Sequence, residues 1–338
     1  MESVDLEVLR SCATWLAQGK ACELVTVVKT WGSSPRPEGS MLAIVEGGQV
    51  VGSVSGGCIE DDLIAQVQEY GFQRELPELL TYGITADQAH RFGLPCGGTI
   101  QLLIEPLSER SRIPDLLTML GQHRLVQRSL ALATGAVSLI EVGRDRGLHL
   151  SDTHLNTTHG PRWRLLIIGA GQMSRFLASI ALGLEFDVTV CDPREEYRDT
   201  WQFDGVHIAR EMPDDVVLSM KLDQRCAVVA LTHDPKLDDM ALLEALKSDA
   251  FYVGAIGSRI NNSKRRERLA LFDLNEGQIA QLRGPVGIYI GSKTPPEIAV
   301  SIMAEIIAVK NGVKLPKETD IAYVKEAEEE TEKEAEKR

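Results

Sequence analysis

Two cysteines in the N-terminal third of the chain stand beside paired glycines, in Ser55-Gly56-Gly57-Cys58 and in Cys96-Gly97-Gly98. Glycine has no side chain, so the backbone next to each thiol can approach a bulky or charged group closely. Cysteine sulfur is a soft ligand that suits soft metals and sulfur chemistry. The pattern predicts a ligand cradle in which the candidate catalytic or metal-ligating residues are Cys58 and Cys96, and the residues that admit the ligand are Gly56, Gly57, Gly97 and Gly98.

Arg36 lies in a loop of small hydrogen-bonding residues between Thr30 and Ser40. A guanidinium presents a planar fork of donors that suits phosphate or carboxylate, so we expect Arg36 to hold an anionic group. The remaining cysteines lack a Cys-x-x-Cys pair or a zinc-ligand spacing, and the expected role for them is in the core or incidental. They are Cys12, Cys22, Cys191 and Cys226.

A second constellation begins where the apolar run from Leu165 to Ile168 meets Gly169-Ala170-Gly171 and then a predicted helix. A helix N-terminus offers free N–H groups and a positive dipole end to a phosphate. Asp192 follows the next predicted strand, 21 residues beyond Gly171, where an acid commonly reads ribose hydroxyls. Ser174 occupies the third glycine position. The pattern predicts that Gly169, Gly171 and Asp192 bind a nucleotide or phosphate; the alternative is a Rossmann-like fold with an empty crevice.

Other candidate residues follow later predicted strands. His233 is a candidate acid or base, although a single histidine is also compatible with a structural role. Gly257, Ser258 and Arg259 follow another strand, and Ser292 and Lys293 precede a helix that Thr294, Pro295 and Glu297 are expected to cap. The basic run 264–266 is expected to be a solvated helical face. The resulting set of further cofactor-binding candidates comprises Gly257, Ser258, Arg259, Ser292 and Lys293.

The second half of the chain alternates short apolar runs with helical patterns, which predicts a doubly wound parallel sheet. The predicted strands are 164–168, 187–191, 227–231, 251–253 and 286–290, and the predicted helices lie near 172–183, 238–247, 260–271 and 295–310. The first half is richer in strands. Its predicted helices are 4–17 and 59–70, and its predicted strands are 24–28, 41–45, 99–104, 130–134 and 136–142.

The predicted fold class is α/β, with an N-terminal α+β (β-rich) domain followed by a Rossmann-like doubly wound parallel sheet. We place a Gly-Cys domain at 1–150, a boundary within the polar segment 143–161, a Rossmann-like domain at 161–315 and a charged tail at 316–338. The net charge of −13 argues against nucleic acid as a partner. No apolar run approaches the roughly 20 residues of a membrane span, and the acidic N-terminus is unlike a signal peptide, so we expect a cytoplasmic protein.

Several long motifs, in order along the chain, resemble the xanthine dehydrogenase accessory (XdhC/CoxI) family over about residues 5–312. In the first half they are Thr30-Trp31-Gly32-Ser33-Ser34-Pro35-Arg36-Pro37, Gly52-Ser53-Val54-Ser55-Gly56-Gly57-Cys58-Ile59-Glu60 and Gly93-Leu94-Pro95-Cys96-Gly97-Gly98. In the second half they include Cys191-Asp192-Pro193-Arg194, Leu231-Thr232-His233-Asp234, Tyr252-Val253-Gly254-Ala255-Ile256-Gly257-Ser258-Arg259 and Gly291-Ser292-Lys293-Thr294-Pro295-Pro296-Glu297. The tail after about residue 315 lies outside the resemblance.

The resemblance implies an accessory protein that binds the molybdenum cofactor (molybdopterin), in its plain or its dinucleotide form. It also implies help with sulfuration by a cysteine desulfurase and delivery to the apo-enzyme of a xanthine- or CO-dehydrogenase-type molybdenum hydroxylase. A cofactor-handling chaperone is favoured over a turnover enzyme, and a homodimer is expected by analogy. Under this interpretation Cys58 and Cys96 contact the metal or sulfur end, and the Gly169–Gly171 turn with Asp192 holds the phosphate end.

Two other functions remain open from the residues alone. The first is an NAD(P)-dependent oxidoreductase that uses His233 as acid or base, for which tight NADH binding with hydride turnover is the discriminating result. The second is a redox-sensing interaction module in which Cys58 and Cys96 form a reversible disulfide, which mass spectrometry of the oxidised protein would detect.

Overall fold

The computed structural model describes residues 4–32, 36–83, 98–122, 124–143, 146–198, 201 and 203–327, without the side chain of Cys58. Cys96 and Gly97 therefore lie outside the described residues, and so does the Cys58 thiol. The chain divides into two compact units, residues 2–161 and residues 162–338, which are called the first and second unit below. Within the described ranges, no helix combines the length and the apolarity that crossing a bilayer requires.

The first unit is built on an antiparallel five-stranded sheet. Its elements are α1 (Val4–Ala17), β1 (Cys22–Trp31), β2 (Met41–Val45), β3 (Val50–Gly52), α2 (Cys58–Tyr70), β4 (Glu78–Tyr82) and β5 (Thr99–Pro106). The strand order is β3-β2-β1-β5-β4, with the long β1 at the centre. Helix α2 covers one face through Ile59 and Leu63, and α1 covers the other face through Val8 and Leu9. The sequence predicted both helices because their apolar spacing is helical.

The first unit also contains a second antiparallel sheet. The elements are α3 (Ile113–Gly121), β6 (Val126–Ala131), β7 (Val137–Glu141), β8 (His149–Leu150) and β9 (His154–His159), and the strand order is β7-β6-β9-β8. Two predictions need correction. The first strand of the predicted pair 130–134 and 136–142 lies earlier in the chain, at Val126–Ala131. Residues 132–134, predicted as the end of that strand, form the turn to the next one. The segment 143–161 is not only a linker, since β9 pairs with β6 along its whole length.

The second unit is a parallel sheet with helices on both faces. It contains β10 (Arg164–Ile168), α4 (Gln172–Gly183), β11 (Asp187–Cys191), α5 (Glu195–Arg198), β12 (Val206–Ala209), α6 (Pro213–Met220), β13 (Cys226–Ala230), α7 (Pro235–Ala245), β14 (Tyr252–Ala255), α8 (Arg259–Leu269), α9 (Glu276–Ala280) and α10 (Pro295–Lys310). The order β12-β11-β10-β13-β14 reverses direction between β10 and β13, which is the switch point where such folds bind ligands. The predicted fold class is confirmed.

Three details of the second unit differ from the sequence prediction. The predicted strand 286–290 is wrong: Gly287 lies against Ser301 of α10, and its N–H donates to the Glu305 carboxylate at 2.7 Å instead of to a strand. The edge strand β12 and the helices α5, α6 and α9 were missed. The segment predicted as tail is partly folded, since a 3₁₀ turn spans Lys317–Thr319 and Asp320 forms a bridge with Ile288.

Candidate functional site

The Ser53–Gly57 loop of the first unit is organised around the carboxylate of Glu60. One oxygen of Glu60 accepts hydrogen bonds from the Ser53 hydroxyl and the amides of Val54 and Ser55, each at 2.8 Å, and from the amide of Gly56 at 3.1 Å. The other oxygen accepts from the Ser55 hydroxyl and from the Gly57 amide, the latter at 2.9 Å. The loop amides therefore point at an acid of the same chain.

Glu60 is buried, with 7% of its surface exposed. Burial opposes ionisation, but the hydrogen bonds from Ser55, its own backbone and Ser53 outweigh it and lower the pKa of Glu60 to about 2. Gly56 and Gly57 have φ values of 91° and 146°, which side chains rarely adopt. A Cβ at either position would meet open space, so these glycines satisfy a backbone requirement of the loop rather than a crowded contact.

Several predicted residues of the first unit lie near this loop. Cys58 is the first residue of α2, and Arg36 donates from Nε to the Ser53 hydroxyl at 3.3 Å. Strand pairing of Trp31 with Thr99 brings Gly98 to Gly32, where a Cβ on Gly32 would lie 3.4 Å from the Gly98 Cα. The Arg36 side chain therefore contacts the loop that precedes α2, and Gly98 lies beside Gly32 at one end of the β1–β5 pair.

The cysteines with expected core roles are all buried and unbridged, namely Cys12, Cys22, Cys191 and Cys226. Burial raises the pKa of Cys22 to about 11 and that of Cys191 and Cys226 to about 12. Thiolate chemistry at neutral pH is therefore unfavourable at these positions. No group of three or more potential metal ligands occurs among the described residues, a set that leaves out both candidate thiols.

The Gly169–Gly171 turn of the second unit sits at the switch point of the sheet. Gly169 has a φ of 106°, and a Cβ there would lie 2.9 Å from the Thr232 methyl group that follows β13. Position 169 thus requires glycine for two reasons, the positive φ of its backbone and its close contact with Thr232. Helix α4 begins after Gly171 with no acidic residue in its first turn and no side-chain cap from the described residues. Its third residue, Ser174, is buried, and its hydroxyl has no described partner.

Asp192 occupies the predicted place at the end of β11, but its carboxylate is already used. It accepts from the Ala170 amide at 2.8 Å, and from the amide, Nε and Nη2 of Arg194 at 3.1, 2.9 and 2.9 Å. Burial opposes ionisation, yet the bonds from Arg194 and Ala170 hold the pKa of Asp192 below its usual range. The indole of Trp201 fixes the same turn by donating to the Ala170 carbonyl at 2.6 Å.

The strand ends carry the other predicted residues of the second unit. His233 follows β13 and is exposed, with an unusual φ of 61°. Ser258 caps α8 by accepting from the Asn261 amide at 3.2 Å, Gly257 has a φ of 136°, and Arg259 is the first residue of α8. Because β10, β13 and β14 are successive parallel strands, these residues share one edge of the sheet with the glycine turn.

Ser292 and Lys293 do not follow a strand, because residues 286–290, all of them described, form none. They precede α10, whose N-terminus is capped as predicted, with Glu297 accepting from the amides of Lys293 and Thr294 at 2.8 and 3.0 Å. The solvated face predicted for 264–266 holds for Lys264, which is exposed, and is wrong for Arg265. Arg265 is buried and donates to Asp238 at 3.0 Å.

Sequence reasoning missed the residues that organise the two glycine loops. These are Glu60 in the first unit, and Arg194 and Trp201 in the second. Glu60 had half of a recognisable signal, since a glutamate at the third position of a helix can accept from the backbone N–H of the N-cap residue, although Gly57 lacks the side chain that completes a capping box. Trp201 had none, because its partner Ala170 is 31 residues away. Arg194 lies only two residues from its partner Asp192, but no sequence pattern shows that this carboxylate is turned towards Arg194 and the Ala170 amide.

These features define a class of α/β proteins in which an antiparallel unit with a glycine-cysteine loop precedes a Rossmann-type unit with a glycine turn at its switch point. Residues 15–83 match the family model described as the XdhC and CoxI family, and residues 165–306 match the XdhC Rossmann domain. The chain belongs to the XdhC/CoxI family.

Two curated relatives and one solved structure resemble most of the chain. The molybdenum cofactor insertion chaperone PaoD of Escherichia coli is 27% identical over 90% of this chain and 88% of its own length. A probable xanthine dehydrogenase subunit of Bacillus subtilis is 24% identical over 86% of this chain and 93% of its own. A crystal structure of a xanthine dehydrogenase from Bacillus halodurans has 25% identity and a TM-score of 0.72, covering 96% of this chain and 99% of that one.

Proposed function

We propose that this protein is an accessory chaperone that binds molybdenum cofactor as its cargo and assists its sulfuration and insertion into a xanthine- or CO-dehydrogenase-type molybdoenzyme. The observation that carries the proposal is the similarity to a molybdenum cofactor insertion chaperone over nearly the whole of both chains. The proposed partners are the apo-enzyme, a cysteine desulfurase as sulfur donor, and a second copy of the chain. The proposed setting is the cytoplasm.

The second unit is the proposed holder of the phosphate end of the cofactor. The Gly169–Gly171 turn lies at a switch point, and the following helix has no acid in its first turn. A phosphate there meets unshielded N–H groups and the positive end of the helix dipole. The donor chemistry therefore fits the phosphate of a pterin cofactor, and Gly171, with no atom within 4 Å of its Cβ position, leaves space for it.

The first unit is the proposed site of sulfur and metal chemistry, through the thiols of Cys58 and Cys96. Thiolates are soft ligands that suit molybdenum and sulfur transfer. Among the other proposed residues, Arg36 and Gly98 offer a cation and a side-chain-free backbone. The amides of Gly56 and Gly57 donate to Glu60, so in this proposal they shape the loop and do not bind the cargo.

The test measures molybdenum and pterin retained by the purified chain after loading with molybdenum cofactor. Cys58→Ala and Cys96→Ala are compared with the wild type, and Cys22→Ala serves as the control because Cys22 is a buried thiol of the same unit. We expect retention to fall at least tenfold in either test variant and to be unchanged in the control. Equal retention of molybdenum and pterin in all four proteins would show that the two thiols do not hold the cofactor. No retention in the wild type would refute cargo binding.

A further inference from the structure

The Asp192 carboxylate has no remaining capacity for a ribose. A carboxylate offers about four lone-pair sites. Here they are used by the Ala170 amide and by the amide, Nε and Nη2 of Arg194. Asp192 is also 0% exposed. In NAD-binding sites the acid at this place accepts hydrogen bonds from the ribose hydroxyls. Asp192 could do so only by breaking its ion pair with Arg194.

Arg194 takes the place that the acid would have at the mouth of the crevice. The same Asp192 oxygen accepts from the Ala170 amide at 2.8 Å and from Arg194 Nη2 at 2.9 Å, so the guanidinium adjoins the glycine turn. One quarter of the Arg194 side chain is exposed, since its relative exposure is 25%. The guanidinium lies 4.0 Å from the centre of the Tyr197 ring, which holds it in a fixed plane.

Three arginines of α8 are engaged elsewhere in this unit. Arg265 is buried against Asp238 and Asp239, and Arg268 also pairs with Asp239. Arg266 donates to the carbonyls of Leu282 and Gly284. On the first turn of α4, by contrast, the buried Ser174 hydroxyl is unpaired among the described residues. The turn therefore combines an adjacent guanidinium, an unshielded helix N-terminus and an unused hydroxyl.

We propose that Arg194 makes this crevice selective for a phosphate monoester over a free ribose diol. Asp192 uses the Nε–H group and one N–H group of Nη2, so the N–H groups left on Nη1 and Nη2 are the donors for two oxygens of a dianionic monoester. A neutral ribose diol gains little from the same donors. The inference rests on the proposed function, and it specifies the cargo: the pterin that ends in a phosphate monoester is bound in preference to the dinucleotide form. Asp192 is then a positioning residue that orients Arg194 and the Ala170 amide.

The test uses NADPH and NADH, which differ only by the monoester on the ribose 2′ oxygen. Binding to the full chain is followed by nicotinamide fluorescence at constant salt, in the wild type and in Arg194→Ala and Arg194→Lys. Lys247→Ala is the control because it removes a surface cation that pairs with the nearby Glu244. We expect the wild type and the control to bind NADPH at least tenfold more tightly than NADH. The preference should disappear in Arg194→Ala and be partial in Arg194→Lys.

The proposal is overturned if the wild type binds NADH as tightly as NADPH, if neither binds, or if Arg194→Ala keeps the preference. The ratio of NADPH affinity to NADH affinity in the wild type tests the proposal even if Arg194→Ala does not fold. Displacement of bound NADPH by molybdopterin supports the monoester of the pterin as the natural ligand. A strong NADPH preference without displacement by molybdopterin supports the role of Arg194 and counts against the proposed cargo. A failure of the Arg194 proposal can therefore be told from a failure of the proposed function.

Discussion

Two glycine-rich loops of this chain lead into helices in the same way, yet they present their amides differently. The loop Ser53–Gly57 leads into α2, and the turn Gly169–Gly171 leads into α4. The third residue of α2 is Glu60, whose carboxylate accepts the loop amides. The third residue of α4 is Ser174, which is too short to reach back in this way.

The comparison shows that glycines before a helix do not by themselves make an anion site. Amides at a helix N-terminus attract a phosphate only when no acid of the same chain already accepts from them. In the first unit, Glu60 fills that role, so the glycines support a fixed loop geometry next to Cys58. In the second unit Asp192 accepts from the Ala170 amide, but the first turn of α4 holds no acid, which leaves the N–H groups at the start of that helix for a ligand.

The largest expected effect is on stability, when the internal acid is removed. Glu60→Ala leaves the hydroxyl and amide donors of the Ser53–Gly57 loop without an acceptor, and we expect a loss of about 3 kcal/mol in the free energy of unfolding. Asp61→Ala is the matched control, since Asp61 is exposed on the same helical turn. Urea denaturation of the full chain measures both, and equal stability of the two variants would contradict the role of Glu60.

The same contribution has a defined pH dependence. The pKa of Glu60 lies at about 2 against an ordinary value of 4.5, so its stabilising effect is fully present above pH 4.5 and is lost as the pH falls towards 2. The stability difference between wild type and Glu60→Gln should therefore shrink over this window. A difference that stayed constant from pH 5 to pH 2 would count against a carboxylate effect.

The next expected effect is on binding, when an acid is added to the open loop. Ser174→Glu places a carboxylate at the position equivalent to Glu60, and we expect NADPH binding to weaken at least tenfold. Gln172→Glu is the companion variant because Gln172 is exposed and tolerates the change. One negative charge in the first turn should weaken binding about two- to fivefold. Fluorescence titration measures both, and unchanged affinity in both would show that the helix N-terminus is not the phosphate site.

The smallest expected effect separates the two roles of glycine. Gly57→Ala forces a side chain into a φ of 146°, and we expect it to destabilise the protein by about 1–2 kcal/mol. Gly171→Ala is compatible with its backbone, since its φ is −82°, and should leave stability nearly unchanged. It should nevertheless weaken NADPH binding, because the methyl group enters the space beside the turn. The reverse pattern, a stability loss at Gly171 and none at Gly57, would contradict this distinction.

The sequence predicted the parts of the molecule that depend on local pattern. The strand before Gly169, the turn and α4 are contiguous, so periodicity and glycine spacing indicated them together. The capping of α10 by Glu297 was predictable for the same reason. The strand predicted at 286–290 was wrong because an apolar run does not reveal its partner: Gly287 packs against α10 and donates to Glu305.

What could not be predicted depends on partners far apart in the chain. The position of Asp192 was predicted from spacing, but its saturation depends on the Ala170 turn, 22 residues earlier, together with the side chain of Arg194. Trp201 reaches the same turn across 31 residues. Edge strand β12 was missed because Val206–Ala209 is short and only partly buried.

The outer edge of the parallel sheet is covered by a later segment of the chain, and the residues that follow this segment pair with the C-terminal part. Arg283 pairs with Val253 and Ala255 along β14, and Thr319 and Asp320 then pair with Tyr289 and Ile288. An uncovered strand edge is a template for pairing with another chain, and such pairing leads to aggregation. Thr319 and Asp320 thus pair with the segment that follows this cover and not with β14 itself, so we expect a recombinant chain shortened after Leu315 to expose the backbone of Ile288 and Tyr289 while β14 stays covered by Arg283.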